Sequence, residues 1–363
     1  MTPDHADHGA LPFSWATRHV HMTALFETLL HSNSHVLPQL KHSLSLALLH
    51  YLPLAGKLTW PPHVHIPTIS YAPDDAVSLL FAESSADFNR LSGDDISESS
   101  ESGHLIPELL SYDDRASCMA LQITLFPNQG LCIGVSKRHA VLEGISAIAF
   151  MKSWAYLCTQ LDKQQYPSLL PELTPFFDRT VVKDPVGLGS LYLNNWLDFM
   201  GNQRHLKVLE DFGVDRNSVR ATFKLNVEDI KKLGEKISSS QPLHLSTFVV
   251  TCAYVLVCLV KAREGESIRN VNFLFPVDYR NRLDPPLPAN YFGNGLSSSN
   301  VILKPSVFME ENGVATVAVK ISNIIREINE KRLLEGAEET LEKLKNWEEG
   351  EERISMARSN KFT

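Results

Sequence analysis

Two apolar, partly β-branched runs, Ser117 to Phe126 and Leu131 to Ser136, are separated only by Pro127-Asn128-Gln129-Gly130. Proline, asparagine and glycine are turn formers for backbone reasons, so this spacing predicts a tight hairpin. The second run leads within a few residues into a segment, Ile145 to Leu161, whose apolar residues Ile148, Met151, Trp154, Ala155 and Cys158 recur close to the helical period. A hairpin feeding directly into an amphipathic helix constrains the chain to an α/β class, with helices packed on sheets.

The connection between the second strand and the helix is Lys137-Arg138-His139-Ala140-Val141-Leu142-Glu143-Gly144. It places His139 on a turn, where a neutral imidazole with a pKa near neutrality is suited to taking a proton from a hydroxyl. Glu143 could orient that turn through a salt bridge. A histidine near a strand end can equally be structural, and His139 with Glu143 has the spacing of two metal ligands on one helical face. A catalytic zinc needs three protein ligands, and no third residue has matching spacing, so no metal is expected.

The rest of the chain divides into two α/β halves. Ser32 to His50 is a helix candidate with Leu37, Leu40, Leu44 and Leu48 on one stripe. The first domain is expected over 1–163, a crossover loop over 164–206, where prolines 167, 171, 175 and 185 and glycines 187 and 189 interrupt regular structure, and the second domain over 207–363. That second domain opens with an expected strand, Val219 to Leu225, and a helix whose first turn is capped by Asn226 with Asp229. A further helix, capped by Ser246, is apolar on nearly all sides and is expected to be buried. Val271 to Pro276 reads as a strand and Val314 to Arg332 as a helix with Ile321, Ile324, Ile325 and Ile328 inward. His63 and His65 read as exposed residues of a strand.

Composition excludes several classes. A length of 363 residues, 44% hydrophobic and 21% charged, describes an ordinary globular chain with room for two cores. A net charge of −8 offers no basic footprint for nucleic acid. The acidic runs Asp94 to Glu108 and Glu335 to Glu352 read as solvated faces. Cys132, Cys158, Cys252 and Cys258 sit in apolar runs without C-x-x-C pairing, the pattern of buried free thiols in a reducing compartment. The first residues lack the basic start and apolar core of a secretory signal, and the longest apolar run, Phe248 to Val260, is too short to span a bilayer. A cytoplasmic protein without a membrane partner is expected.

Further segments stand in an informative order: Tyr51-Leu-Pro-Leu-Ala-Gly56-Lys-Leu-Thr-Trp60, the His139 turn, Leu173-Thr-Pro-Phe-Phe-Asp178-Arg179-Thr180, Val277-Asp278-Tyr279-Arg280-Asn281-Arg282, and Asn290-Tyr291-Phe292-Gly293-Asn294. Together they resemble the plant BAHD acyltransferase family, and among its members those that use malonyl-CoA to acylate flavonoid and phenolic glucosides. The family pattern H-x-x-x-D-G falls on His139, Glu143 and Gly144, with glutamate where the family has aspartate. The resemblance implies two chloramphenicol-acetyltransferase-like domains, mixed sheets flanked by helices, with an active-site channel between them. It implies His139 as catalytic base, supported by Glu143, with Gly144, Asp278, Arg280 and Arg282 as structural turn residues and an ion pair from Glu143 to an arginine near Arg280 or Arg282. It further implies acyl-donor contacts from Arg179, Tyr291 and Asn294, acyl-CoA as co-substrate, no bound cofactor, a small-molecule alcohol or glycoside acceptor, and a monomer.

Read from the residues alone, Arg179 could instead pair with Asp178, and Tyr291 and Phe292 could be core residues of a tight turn. The family's Y-F-G-N-C signature has Gly295 in place of cysteine. The final residues, Ser355 to Thr363, resemble the stretch ahead of the family's D-F-G-W-G motif, so the resemblance implies an incomplete second domain and, as an alternative function, a non-catalytic binding paralogue. Peptide-synthetase condensation domains share the fold and motif, but they usually carry a second histidine where Arg138 stands.

Overall fold

The computed structural model describes residues 19–27, 33–164, 166–184, 187–199, 204, 206, 219–240, 245–263, 270–330 and 352–355. The chain divides into two units, one comprising Met1–Thr222 with Pro285–Gly295 and Asn360–Thr363, the other Phe223–Asp284 with Leu296–Ser359.

The first unit contains strands β1 (His19–Glu27), β2 (Lys57–Thr59), β3 (Thr68–Ser70), β4 (Ser78–Glu83), β5 (Ser97–Glu98), β6 (Arg115–Ser117), β7 (Met119–Phe126), β8 (Gly130–Arg138) and β9 (Val219–Arg220). Its helices are α1 (Asn33–His50), α2 (Leu52–Ala55), α3 (Phe88–Ser92), α4 (Gly144–Gln160) and α5 (Leu188–Phe199). The expected hairpin is β7–β8, closed at the pair Phe126↔Gly130 with Asn128 in the left-handed region at φ 60°. It forms the centre of a mixed sheet ordered β1-β8-β7-β4, with β4 parallel to β7 and the other pairs antiparallel.

Both faces of this hairpin are covered, which explains why β7 and β8 are buried along their whole length. On one face Leu121, Ile123, Leu125, Leu131, Ile133 and Val135 pack with Leu44 and Ala47 of α1 and with Ala147, Phe150, Trp154 and Leu157 of α4. Trp154 joins the two helices by donating its indole N–H to the Leu40 carbonyl (3.2 Å) and to Ser43 Oγ (3.0 Å). On the other face Phe126 and Cys132 meet Phe88 and Leu105, Gln122 donates to the His104 carbonyl at 2.8 Å, and Ser136 donates to the Pro107 carbonyl. Gly134 lies so close beneath this segment that a Cβ there would overlap the Leu105 carbonyl.

The second unit contains α6 (Val227–Ser240), α7 (Thr247–Ala262), β10 (Val271–Asp278), β11 (Leu296–Leu303), α8 (Pro305–Met309), α9 (Gly313–Glu330) and β12 (Glu352–Ser355). Its sheet is ordered β11-β10-β12, antiparallel on one side of β10 and parallel on the other. Val271, Phe273, Phe275 and Val277 alternate into a core built with α7 and α9. The expected caps form: Asn226 and Asp229 exchange hydrogen bonds of 3.0 and 2.9 Å, and Ser246 accepts from the Val249 N–H at 3.3 Å.

Several expectations are corrected locally. Of Val219 to Leu225 only Val219–Arg220 is strand. Within the stretch read as crossover, α5 forms after Gly187, which takes φ 72°, and the Asp184 carboxylate accepts from the Gly189 N–H at 2.8 Å. His63 and His65 are exposed as expected but lie in turns. Helix α7 is buried on one side only, since Val255, Cys258 and Leu259 face outward, so Cys258 is exposed and Cys158 half-buried while Cys118, Cys132 and Cys252 are buried.

Candidate active site

His139 is the first residue past the last residue of β8, at the point where the chain leaves the sheet. The turn is fixed by N–H groups of Val141 and Leu142 that both donate to the Arg138 carbonyl, at 3.0 and 3.3 Å, and α4 begins at Gly144. His139 is half-buried, whereas Glu143 is completely buried. Glu143 occupies the N-cap position of α4 with extended backbone, yet its side chain makes no capping bond. Its carboxylate instead accepts from the Gly295 N–H at 3.1 Å.

That contact is one of a set that sews 293–295 onto the histidine turn. The Asn294 side-chain amide donates to the carbonyls of His139 (3.0 Å) and Ala140 (3.1 Å). Ser146 Oγ donates to the Gly293 carbonyl at 3.0 Å and lies 3.1 Å from the Gly293 N–H. These bonds straddle the turn from its first residue to the first turn of α4, so His139 is presented on backbone held at both ends. Gly144 itself has open space where a Cβ would stand and an ordinary backbone.

The same strip carries Arg179. Its guanidinium carbon stands 5.0 Å from the centre of the Tyr291 ring and lies against Gly293, where φ is 152° and a Cβ would collide with the guanidinium. Asp178 does not pair with it: the carboxylate accepts from the Thr180 N–H at 2.8 Å and the Thr180 hydroxyl at 2.6 Å, which holds its pKa down. No carboxylate among the described residues pairs with Arg179. Tyr291 and Phe292 are both core residues, and Phe292 packs edge-on to Tyr51 and Phe177 at 5.4 and 5.2 Å. Tyr51 anchors this aromatic group through hydrogen bonds to Ser153 Oγ (2.9 Å) and the Leu173 carbonyl (3.1 Å), and burial pushes its phenol pKa up.

In the second unit, Asp278, Arg280 and Arg282 form a turn at the end of β10. Asp278 accepts from the Arg280 backbone (3.0 Å) and guanidinium (3.2 Å), while Arg282 donates to the Asp278 carbonyl and, at 3.0 Å, to Asn329 Oδ1. Sequence reasoning missed Ser146 and Lys137. Lys137 has a legible signal: it continues the odd-numbered series Leu131, Ile133, Val135 and so places a charge on the core face of β8. Its ammonium donates to the Leu142 carbonyl at 2.9 Å. Among the described residues no group of three potential metal-ligating side chains occurs, and no helix is long and apolar enough to cross a membrane.

Comparison with known proteins is consistent with this architecture. The model of the Transferase family matches residues 15–361. Phenolic glucoside malonyltransferase 1 of Arabidopsis thaliana is 42% identical over 351 residues, covering 91% of this chain and 74% of that protein. A malonyl-CoA:anthocyanidin 5-O-glucoside-6''-O-malonyltransferase from the same organism is 40% identical over 344 residues, with 91% and 75% covered. An agmatine coumaroyltransferase, again from Arabidopsis thaliana, is 39% identical over 305 residues, with 81% and 66% covered. The crystal structure of vinorine synthase superimposes with a TM-score of 0.68 at 18% identity over 98% of this chain and 79% of its own. That of F. sporotrichioides TRI101, complexed with coenzyme A and T-2, gives 0.59 at 14% identity over 89% and 73%. The fold is chloramphenicol-acetyltransferase-like, and the chain belongs to the Transferase family of BAHD acyltransferases.

Proposed function

We propose that the protein transfers a malonyl group from malonyl-CoA to a hydroxyl of a phenolic or flavonoid glucoside, with His139 as general base. His139 takes the proton from the acceptor hydroxyl as that oxygen attacks the thioester carbonyl. The tetrahedral intermediate then collapses, the C–S bond breaks, and the protonated His139 returns the proton to the departing CoA thiolate. Donor and acceptor are bound together, so no covalent acyl-enzyme forms. The protein works as a monomer on small molecules.

Overall identity does not select the donor, because a coumaroyltransferase is nearly as similar as the malonyltransferases. The observation that carries the malonyl reading is Arg179, a half-buried guanidinium stacked on Tyr291 whose neighbouring carboxylate is already engaged by Thr180. A guanidinium in that situation meets a free carboxylate with two parallel hydrogen bonds, and malonyl has one where acetyl and coumaroyl do not. Arg179→Ala is expected to lower kcat/KM with malonyl-CoA by about tenfold to a hundredfold while changing acetyl-CoA use little. Equal losses with both donors would assign Arg179 to structure and remove the malonyl reading.

A further inference from the structure

Lys137 is a charged residue on the wrong face of its strand. The residues that precede it on that side of β8, Leu131, Ile133 and Val135, all pack into the core under α1 and α4, and Lys137 follows them at 2% exposure. An ammonium in such a place is unfavourable unless it is hydrogen-bonded and met by opposite charge. Its lateral neighbours in the sheet are Val20 of β1 and Met119 of β7, neither of which carries charge. Arg138, next in the chain, turns to the opposite face, where it donates to Ser111 Oγ and to the Leu206 carbonyl. The charge that acts on Lys137 is the buried Glu143 carboxylate at the start of α4. Its hydrogen bond goes to the Leu142 carbonyl at 2.9 Å, so the side chain bridges from two residues before His139 to three residues after it.

We propose that Lys137 is a positioning residue for acyl transfer: its ammonium, held by the Leu142 carbonyl and the Glu143 charge, braces the turn that presents His139. This rests on the reading of His139 as the base. Asn294 and Gly295 hold the turn from outside β8, and Lys137 holds it from within, across the residues where the strand ends. The ionic part of the brace, the attraction to the Glu143 charge, depends on the proton of Lys137. Burial pushes its pKa down to about 8, against the opposing pull of Glu143, so the cation is lost within the range of an ordinary activity profile.

The test is steady-state acyl transfer by wild type, Lys137→Met and His139→Ala, each as the full chain, with melting curves as the check on folding. Lys137→Met is expected to lose about tenfold to a hundredfold in kcat with KM for both substrates little changed, because a small misplacement of a base costs rate rather than binding. The wild-type kcat is expected to decline as pH rises through about 8, and that limb to be missing from Lys137→Met. A folded Lys137→Met with wild-type kcat would overturn the proposal. Should that variant fail to fold, the wild-type profile decides: a limb near pH 8 supports the brace and a flat profile well beyond it overturns it. His139→Ala separates the two readings, since loss of activity there together with an indifferent Lys137→Met leaves the base in place and removes only the brace.

Discussion

Glu143 shows how one residue can stand at a cap position and serve another purpose. A carboxylate at a helix N-cap ordinarily accepts from its own first turn, but this one reaches the Gly295 N–H, and its charge favours the protonated form of Lys137. Removing it leaves a backbone donor unsatisfied and a buried ammonium without its counter-charge. Glu143→Ala is therefore expected to cost about 2 kcal/mol or more in chemical denaturation and to slow acyl transfer. Wild-type melting and rate would mean that the glutamate has no hold on the turn. Lys137 makes a signed prediction about stability. Its folded pKa of about 8 lies below the ordinary 10.5, so between those values the unfolded chain binds more protons and folding stability gains as pH rises. The stability of wild type minus that of Lys137→Met should accordingly grow by up to about 3 kcal/mol from pH 8 to 10.5, the whole difference being present only above the unfolded value. A difference that is constant with pH would show that Lys137 is not desolvated.

At the level of elements, β8 is the piece on which the proposed site depends, because it is paired on both edges and covered on both faces. Its tightest point is Gly134 beneath Leu105. Gly134→Ala should lower stability by about 2 kcal/mol, read as a shift in denaturation midpoint at unchanged slope, since the intruding atom meets backbone rather than a movable side chain. An unchanged midpoint would contradict the close approach. The hairpin, the helix behind it and the caps of α6 and α7 were legible because turn chemistry and periodicity are local signals. The short β9 and the helix α5 were misread for the complementary reason: apolar residues between Val219 and Leu225 do not specify a partner strand, and the prolines end before α5 begins while Gly189 is taken into its first turn. Among the candidate site residues, His139, Glu143 and Arg179 could be proposed from motif order. The attachment of Asn294 to the carbonyls of His139 and Ala140 could not, because 155 and 154 residues separate the partners and no spacing rule links them.

For the whole molecule, family membership sets the reaction class, while donor and acceptor follow from a few side chains placed on a common fold. The first unit includes Pro285–Gly295, which brings Asn294 and Gly295 to the histidine turn, Gly293 to Ser146 of α4 and Tyr291 to Arg179. A segment distant in sequence thus completes the surroundings of His139 and of Arg179 together, which is why the two are proposed to act on one substrate. The most direct test of that account is the turnover of malonyl-CoA with a phenolic glucoside by wild type and His139→Ala, followed as release of free CoA thiol, with malonyl-CoA binding measured in parallel by thermal shift. The account predicts a loss of about 10²-fold or more in kcat while malonyl-CoA still raises the melting temperature of the variant. Turnover by His139→Ala at the wild-type rate would contradict it.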